Sequence, residues 1–333
     1  MARNGNFEIL NFTGLVEVAP RTPRLMSQLG LVTNTVFGES TIAQVERITD
    51  YTNTINAQPR GGERNFAGRE NAIVRNFNIP LFPLDTKVTA SQVQDLRKYG
   101  TSDTPATVED RVMRIMSNFQ RDYATLKEKA IYAAIKGDSY SPGWTQGQYN
   151  YATEFGVTGS VITADVNFAT VDLPSSIAET ARAHIIDNAG DDASAYRIIA
   201  LCGRAYFTAF IESDEIVEAY GGYPSAEEPL RRRVGGDLIN RSFIHKGVTY
   251  IEDISGEIDT DDAYYIPLGI TNMFQTVHAP ADTIEEAQKT AKEMYVWLLN
   301  DNHRVQTVES ETSFIVVNTR PELVVKSSAT YTE

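Results

Sequence analysis

The fold is decided by "PATVEDRVMRIMSNFQRDYATLKEKAIYAAIKG", residues 105–137, because this stretch carries the clearest periodicity in the chain. Apolar residues recur in it at spacings of three and four, and they are Val108, Val112, Ile115, Phe119, Tyr123, Leu126, Ala130 and Ala134. Charged residues fall on the other faces, at Arg111, Arg114, Arg121, Lys127 and Glu128. Pro105 suits a first helical turn and Gly137 suits a helix end. The sequence predicts a helix over 105–136, about 45 Å long, of the kind that serves as a spine.

The residues before this helix predict a β-ribbon preceded by an extended arm. Over 39–90, β-branched residues dominate "TIAQVERITDYTNTIN" and alternate in "AIVRNFNIPLFPL", and glycines mark a bend between the two stretches. One hairpin with about 20 residues per strand would be about 65 Å long. A two-stranded ribbon is marginal alone in water, so we expect it to lie on a neighbouring subunit. Residues 1–38 show no sustained period, and we expect an arm that buries little against its own body.

After the long helix, helices and strands alternate irregularly, which favours an α+β class over a doubly wound sheet. Helices are predicted at "DLPSSIAETARAHIIDNAG", "RAYFTAFIESDEIVEAY" and "DTIEEAQKTAKEM". Strands are predicted at "YRIIALCG", "SFIHKGVTYIEDIS" and "DDAYYIPLG", with a turn at Lys246-Gly247. The segment "HRVQTVESETSFIVVNTRPELVVKSS" predicts two further strands around Asn318–Pro321.

Composition excludes several classes of function. The net charge of −14 opposes phosphate backbones, so a dedicated DNA-reading protein is not expected, although a protein that encloses nucleic acid without gripping it is compatible. A single cysteine, Cys202, rules out an intrachain disulfide, and its apolar surroundings predict a buried, inert thiol. The sequence shows neither a secretory signal nor an apolar run of about 20 residues that could span a membrane.

The sequence offers little that could carry catalysis or bind a metal. None of the histidines, His184, His245, His278 and His303, lies at helical ligand spacing from another. Phosphate-binding, dinucleotide-binding and nucleophile-elbow motifs are also absent. We therefore expect no enzyme activity, no cofactor and no metal site.

One basic cluster interrupts the acidic composition, at "EPLRRRVGGDLINRSF", residues 228–243. Arg231, Arg232 and Arg233 could neutralise phosphates, or they could pair bidentately with carboxylates. Because carboxylates are abundant in this chain, we favour contacts within or between subunits. The nucleic-acid alternative remains open.

Three segments resemble the lambda-type major head protein family of tailed bacteriophages. They are "RRVGGDLINRSFIHKGVTYIED", "AYYIPLGITNMFQTVHAPADTIEEA" and "SETSFIVVNTRPELVVKS". The resemblance covers most of the chain and implies an HK97-like major capsid fold. In that fold the chain would divide into an N-terminal arm (1–38), an E-loop (39–90), a P-domain in two parts (91–170 and 273–333) and an A-domain (171–272).

The resemblance implies a non-enzymatic shell protein. The chain would form hexamers and pentamers of an icosahedral head that encloses double-stranded DNA without sequence-specific binding or membrane contact. Scaffolding, portal and decoration proteins are the implied partners, with assembly in the host cytoplasm and a final place in the virion capsid. Intersubunit contacts are expected at Arg231, Arg232 and Arg233 in the A-domain loop and at Arg60, Glu63 and Arg64 in the E-loop. The alternatives are an encapsulin-like nanocompartment shell and a soluble α+β hydrolase.

Overall fold

The computed structural model describes residues 25–49, 57, 71–92, 108–165, 173–190, 197–221, 241–302 and 305–330. Helices lie at α1 (Leu25–Leu29), α2 (Val108–Lys136), α3 (Tyr151–Phe155), α4 (Pro174–Ala189), α5 (Arg204–Glu212) and α6 (Asp214–Gly221). Strands lie at β1 (Val32–Phe37), β2 (Ile42–Thr49), β3 (Asn71–Asn78), β4 (Leu81–Pro83), β5 (Thr86–Thr89), β6 (Ser160–Asp165), β7 (Arg197–Cys202), β8 (Ser242–His245), β9 (Val248–Glu252), β10 (Asp262–Leu268), β11 (Phe274–His278), β12 (Tyr295–Asn302), β13 (Val305–Asn318) and β14 (Val325–Thr330). This irregular mixture of helix and strand confirms the predicted α+β class.

Helix α2 confirms the predicted long helix within the described residues, since it runs for 29 residues. The predicted stripe is buried at Val112, Phe119, Ala130 and Ala134. Val108 was predicted on the same buried face, yet it is 44% exposed. The small hydrophobic cluster under this end of α2 includes Val112 and Phe119 but does not reach Val108. Glu128 was predicted on a polar face and is instead buried.

Sheet I is built around β13. Its strand order is β1-β11-β13-β12, and β4 and β5 also pair with β13. Strand β13 is 14 residues long and is antiparallel to all four of its partners, β11, β12, β4 and β5. Helix α2 lies across β13, so the long helix and the long strand together form the frame of this half of the molecule.

Sheet II has the strand order β6-β14-β10-β7-β9-β8. Strand β7 is buried on both faces, as its continuous apolar sequence predicts: Ile199 and Leu201 join the main core, while Ala200 and Cys202 join a second core with helices α4 and α5. The predicted turn between β8 and β9 is confirmed. Its residues Lys246 and Gly247 both have positive φ, as a two-residue hairpin turn requires.

The sheets do not follow the predicted domain boundaries. Strands β6 and β14 fall outside 171–272, yet both pair within sheet II, where β14 lies between β6 and β10. Strands β4 and β5 fall inside the predicted E-loop, yet they pair with β13 in sheet I. The local sequence could not reveal either pairing, because every partner strand lies about 60 residues or more away along the chain.

The predicted hairpin of β2 and β3 is confirmed as an antiparallel ribbon of eight paired residues, from Ile42↔Asn78 to Thr49↔Asn71. Most of the bend between the two strands lies outside the described residues, and so does the predicted length of the ribbon beyond Thr49. What the structure describes is the base of the ribbon.

The expectation that 1–38 buries little against its own body is wrong for its described part, 25–38. Leu25, Met26 and Leu31 are buried in the main core. Strand β1 pairs in parallel with β11, which is about 240 residues away along the chain. Short apolar stretches without a period can therefore be core residues when a distant strand supplies the partner. Residues 1–24 lie outside the described part.

Two helix predictions need correction. The stretch predicted as one helix after β7 forms α5 and α6, because the Ser213 hydroxyl donates to the Phe210 carbonyl and competes with the helical hydrogen bonds. Residues 282–294 form turns rather than a helix. Ile284 is fully exposed there, so no apolar face is available to stabilise a helix, and the Ala291 amide bonds to Gly38 instead.

Candidate assembly interface

The inner face of the ribbon base is fixed to the body by an aromatic cluster. Phe77 is fully buried and makes edge-to-face contacts with Tyr149, Tyr151 and Phe155, at centroid distances of 5.0, 5.8 and 6.1 Å. The Asn78 amide donates to the Tyr149 hydroxyl at 2.9 Å. Arg75 donates through Nε to the backbone carbonyl of Glu154 in α3, so both strand and side chains tie the ribbon down.

The outer face of the same ribbon base leaves apolar side chains in solvent. Because side chains alternate along a strand, Ile42 and Val74 point away from the face that carries Phe77. They are 49% and 42% exposed. Gln44 and Glu46 lie beside them, so the outer face is a mixed surface suited to a second protein surface rather than to a core.

A bidentate ion pair holds β2 near its C-terminal end. Arg47 donates from Nη2 to Glu322 Oε1 at 2.7 Å and from Nη1 to Oε2 at 3.2 Å. Both side chains are largely buried, and the guanidinium also lies over the Phe155 ring. The bidentate geometry fixes direction as well as distance, so it holds the end of β2 that precedes residue 50.

A second bidentate pair fixes the end of the segment 222–240. Arg241 donates to both carboxylate oxygens of Glu252, at 2.6 and 2.9 Å, and it lies over the Phe207 ring. Glu252 is buried, and its carboxylate also lies 3.7 Å from Arg204. The hydrogen bond to Glu252 raises the pKa of Arg241, so the guanidinium stays charged.

The arm root is held by a carboxylate buried in α2. Glu128 accepts hydrogen bonds from the backbone amides of Met26 and Ser27, at 3.0 and 2.9 Å, and from the Ser27 hydroxyl. These amides belong to the first turn of α1 and have no partner within the helix. Glu128 thereby fixes the start of α1, directly after residue 24.

The edge strands of both sheets expose aliphatic side chains. In sheet II, Val161 on β6 and Ile244 on β8 are 63% and 61% exposed. In sheet I, Leu298 and Leu299 on β12 are 50% and 42% exposed. Apolar edges of this kind are a liability for a monomer and are typical of surfaces that meet another chain.

The titratable groups in the core suit a structural role. Burial raises the pKa of the Cys202 thiol, which disfavours a nucleophilic thiolate and agrees with the predicted buried thiol. Burial lowers the pKa of His278 to about 4, and the ring stacks on Phe37. Among the described residues, no group of three or more His, Cys, Asp or Glu side chains could hold a metal ion. No helix in the described part is both long enough and apolar enough to cross a bilayer.

The candidate contact residues named from the sequence all lie outside the described ranges. They are Arg60, Glu63, Arg64, Arg231, Arg232 and Arg233. What the structure locates instead is the roots of the two segments that contain them. Sequence reasoning missed the root residues Arg47, Glu322, Arg241, Glu252 and Glu128, because a single charge in a strand or turn has no local pattern that marks it as paired.

Comparison with known proteins identifies the class. Residues 11–329 match the model of the family described as phage major capsid protein E, so the chain belongs to that family. The major capsid protein of Pseudomonas phage KPP10 is 27% identical over 347 residues, which cover 97% of each chain. The protein is thus a major capsid protein of a tailed phage, as the resemblance of its sequence indicated.

Solved structures confirm the predicted HK97-like fold. The mature capsid of bacteriophage PhiM1 matches with a TM-score of 0.57 at 16% identity, over 96% of this chain and 91% of that one. The capsid of cyanophage P-SCSP1u matches with a TM-score of 0.58 at 11% identity, over 98% and 94%. The SrpI encapsulin of Synechococcus elongatus PCC 7942 shares the fold with a TM-score of 0.52 at 12% identity, over 96% and 95%. At these identities the encapsulin is a relative in fold alone.

Proposed function

We propose that this capsid protein assembles into hexamers and pentamers of an icosahedral head that encloses double-stranded DNA. What carries the proposal is the pair of fixed roots. Bidentate arginine–carboxylate pairs, Arg47–Glu322 and Arg241–Glu252, anchor the described residues next to the segments 50–70 and 222–240. Identical subunits that make the same contact repeatedly need contacting segments whose ends are held in a fixed direction. The two ion pairs hold such ends.

The proposed parts follow the expected arrangement with three changes drawn from the sheets. The E-loop is the ribbon beyond Ile42, and β4 and β5 belong with α2, β11, β12 and β13 in the P-domain. The A-domain is sheet II with α4, α5 and α6, and it includes β6 and β14. The arm proper is residues 1–24, since β1 is a strand of sheet I.

Within this arrangement, Arg231, Arg232 and Arg233 pair with carboxylates of neighbouring subunits, and Arg60, Glu63 and Arg64 act in the same way from the ribbon. The net charge of −14 supports a wall that encloses DNA without tight binding. A scaffolding protein guides assembly in the host cytoplasm, and portal and decoration proteins join the shell. The role is structural, with no catalytic step.

Coexpression with the scaffolding protein of the same phage tests the proposal directly. Negative-stain electron microscopy of the purified material is expected to show closed shells of uniform size. A monodisperse monomer under all assembly conditions would contradict the proposal. Shells that load a cargo enzyme rather than DNA would instead assign the chain to the nanocompartment class.

Replacing Arg231, Arg232 and Arg233 together by alanine tests the loop contact. We expect a loss of capsomers, visible as a shift from large particles to small species in sedimentation. Arg182→Ala is the matched control, because Arg182 is exposed on α4 and pairs with Glu179, one turn away on the same helix. Normal shells that fail only to retain DNA would restore the nucleic-acid interpretation of the three arginines.

A further inference from the structure

The turn between β13 and β14 connects the two sheets. Strand β13 is the centre of sheet I, and β14 lies inside sheet II, so residues 319–324 carry the chain from one sheet to the other. Pro321–Leu323 form a 3-10 turn whose three residues are all buried. We call residues 318–324 the junction turn.

The junction turn is bonded to the ribbon through one side chain. Glu322 receives both prongs of the Arg47 guanidinium, at 2.7 and 3.2 Å, across 275 residues of sequence. Because the glutamate side chain is only 9% exposed, water competes weakly for this carboxylate. The Arg47 end of the ribbon base is therefore tied to Glu322, in addition to the aromatic contacts that hold Phe77.

The same turn is bonded to helix α4, which covers sheet II. His184 Nε2 lies 2.9 Å from the backbone oxygen of Glu322. Arg320 donates from Nη2 to the Asn188 carbonyl at 2.6 Å and from Nη1 to the Ala189 carbonyl at 3.4 Å, both at the end of α4. Arg320 Nε also lies 3.5 Å from Glu322 Oε1, so the two sets of contacts share one carboxylate.

The turn is bonded to α2 as well. The fully buried Asn318 donates from Nδ2 to the Ala134 carbonyl in the last turn of α2, and its Oδ1 accepts from the Arg320 amide. The junction turn is therefore bonded to three separate elements, α2, the ribbon and α4.

We propose that Glu322 is a positioning residue that makes the direction of the ribbon follow the orientation of the helix layer over sheet II. A displacement of α4 would pull on Arg320 and on the Glu322 backbone, and the bidentate pair would pass the displacement to β2. This proposal rests on the proposed function, since it describes how one subunit coordinates two of its assembly surfaces. Coupling of this kind is reciprocal: disturbing either end must be felt at the other.

Hydrogen–deuterium exchange of the full-length chain, unassembled and in shells, tests the coupling. In Arg47→Gln, amides at the end of α4, residues 184–190, are expected to exchange about tenfold faster although Arg47 lies on the ribbon. In Arg320→Gln, amides of β2 are expected to show the same rise. Arg75→Gln is the matched control, because Arg75 anchors the ribbon to Glu154 and not to the junction turn.

The comparison between Arg47→Gln and Arg75→Gln decides the matter. Faster exchange in α4 for the first variant and in the ribbon alone for the second supports the proposal. Exchange changes confined to the ribbon in both variants would overturn it. Arg47→Lys keeps the positive charge but cannot donate two parallel hydrogen bonds to Glu322. It is therefore the milder variant to use if Arg47→Gln does not fold. The same changes in exchange are expected in it, at smaller amplitude.

The exchange result is independent of whether shells form. If Arg47→Gln speeds amide exchange in α4 but the wild-type chain forms no shell, the proposed function fails and the coupling stands. If shells form and amide exchange in α4 is unchanged in Arg47→Gln, the proposed function stands and the role of Glu322 is overturned.

Discussion

The two halves of helix α2 rest on very different foundations. The C-terminal half of the helix packs into the main core, where Ala130, Ile131, Tyr132 and Ala134 are at most 4% exposed. Before residue 124 only Val112 and Phe119 are buried, in a small cluster with Val88 and Val308. One regular helix therefore packs against a large core cluster at its C-terminal half, the strong half, and against a small cluster at its N-terminal half, the weak half. The free energy of unfolding that a substitution in α2 removes therefore depends on which of the two clusters the residue packs against.

The strong half predicts the largest effect. Ile131→Ala is expected to lower the free energy of unfolding by about 2–5 kcal/mol, because it leaves a cavity in a core that cannot collapse freely. Denaturant unfolding of the full-length chain, followed by circular dichroism, measures the change. Met113→Ala on the other half is the control: Met113 is 61% exposed, and a change within about 0.5 kcal/mol is expected. Equal costs for the two variants would break the comparison.

Acid should weaken the region where the halves meet. His278 lies between the Phe37 and Phe314 rings, and the charged groups that face it are Lys127 of α2 and Glu293 of the 282–294 turns. Burial, reinforced by Lys127, lowers its pKa from 6.5 to about 4, so the unfolded chain binds the proton more readily. Stability is thus complete above pH 6.5 and is lost as the pH falls toward 4, by up to about 3 kcal/mol.

Unfolding curves at pH 7 and pH 4.5 for the wild type and for His278→Phe check this expectation. The pH-dependent loss should be smaller in the variant by most of that amount. His245 also has a lowered pKa because of burial, and its contribution remains in both proteins. If the wild type and the variant lose stability in parallel, His278 is not the acid-sensitive group.

The buried carboxylate of the strong half predicts a smaller effect. Glu128→Gln removes the charge that three donors of α1 share, and the expected loss is about 1–3 kcal/mol. Faster amide exchange over residues 26–31 should accompany it, since the arm root loses its anchor. Asp122→Asn, at an exposed position of the same helix, should leave both quantities unchanged. An unchanged arm root in Glu128→Gln would show that β1 alone holds it.

The weak half predicts the smallest effect. Val112→Ala removes two methyl groups from the small cluster, at an expected cost of about 1–2 kcal/mol. Thermal unfolding measured beside Ile131→Ala gives the ratio between the two halves. A cost above that of Ile131→Ala would show that the small cluster, rather than the main core, limits the stability of α2.

Sequence predicted the elements whose signal is local. Helix α2, strand β7 and the Lys246-Gly247 turn follow from periodicity or turn chemistry within a few residues of one another. The charges that fix the assembly surfaces could not be found in that way. Glu128 looks like any surface glutamate of an amphipathic helix, and Arg47 and Glu322 meet only because β2 and the junction turn, 275 residues apart, lie side by side in the fold. Helical propensity misled at 282–294, where burial rather than propensity decides.

The topology of β13 has a consequence for the order of synthesis. Strands β4 and β5 of sheet I pair with β13, which follows them by more than 200 residues along the chain. These two early strands therefore stay unpaired until β13 has been synthesised. Such long-range closure makes folding slow and exposes edges that aggregate. Closure of sheet I is therefore expected to be a late step in folding.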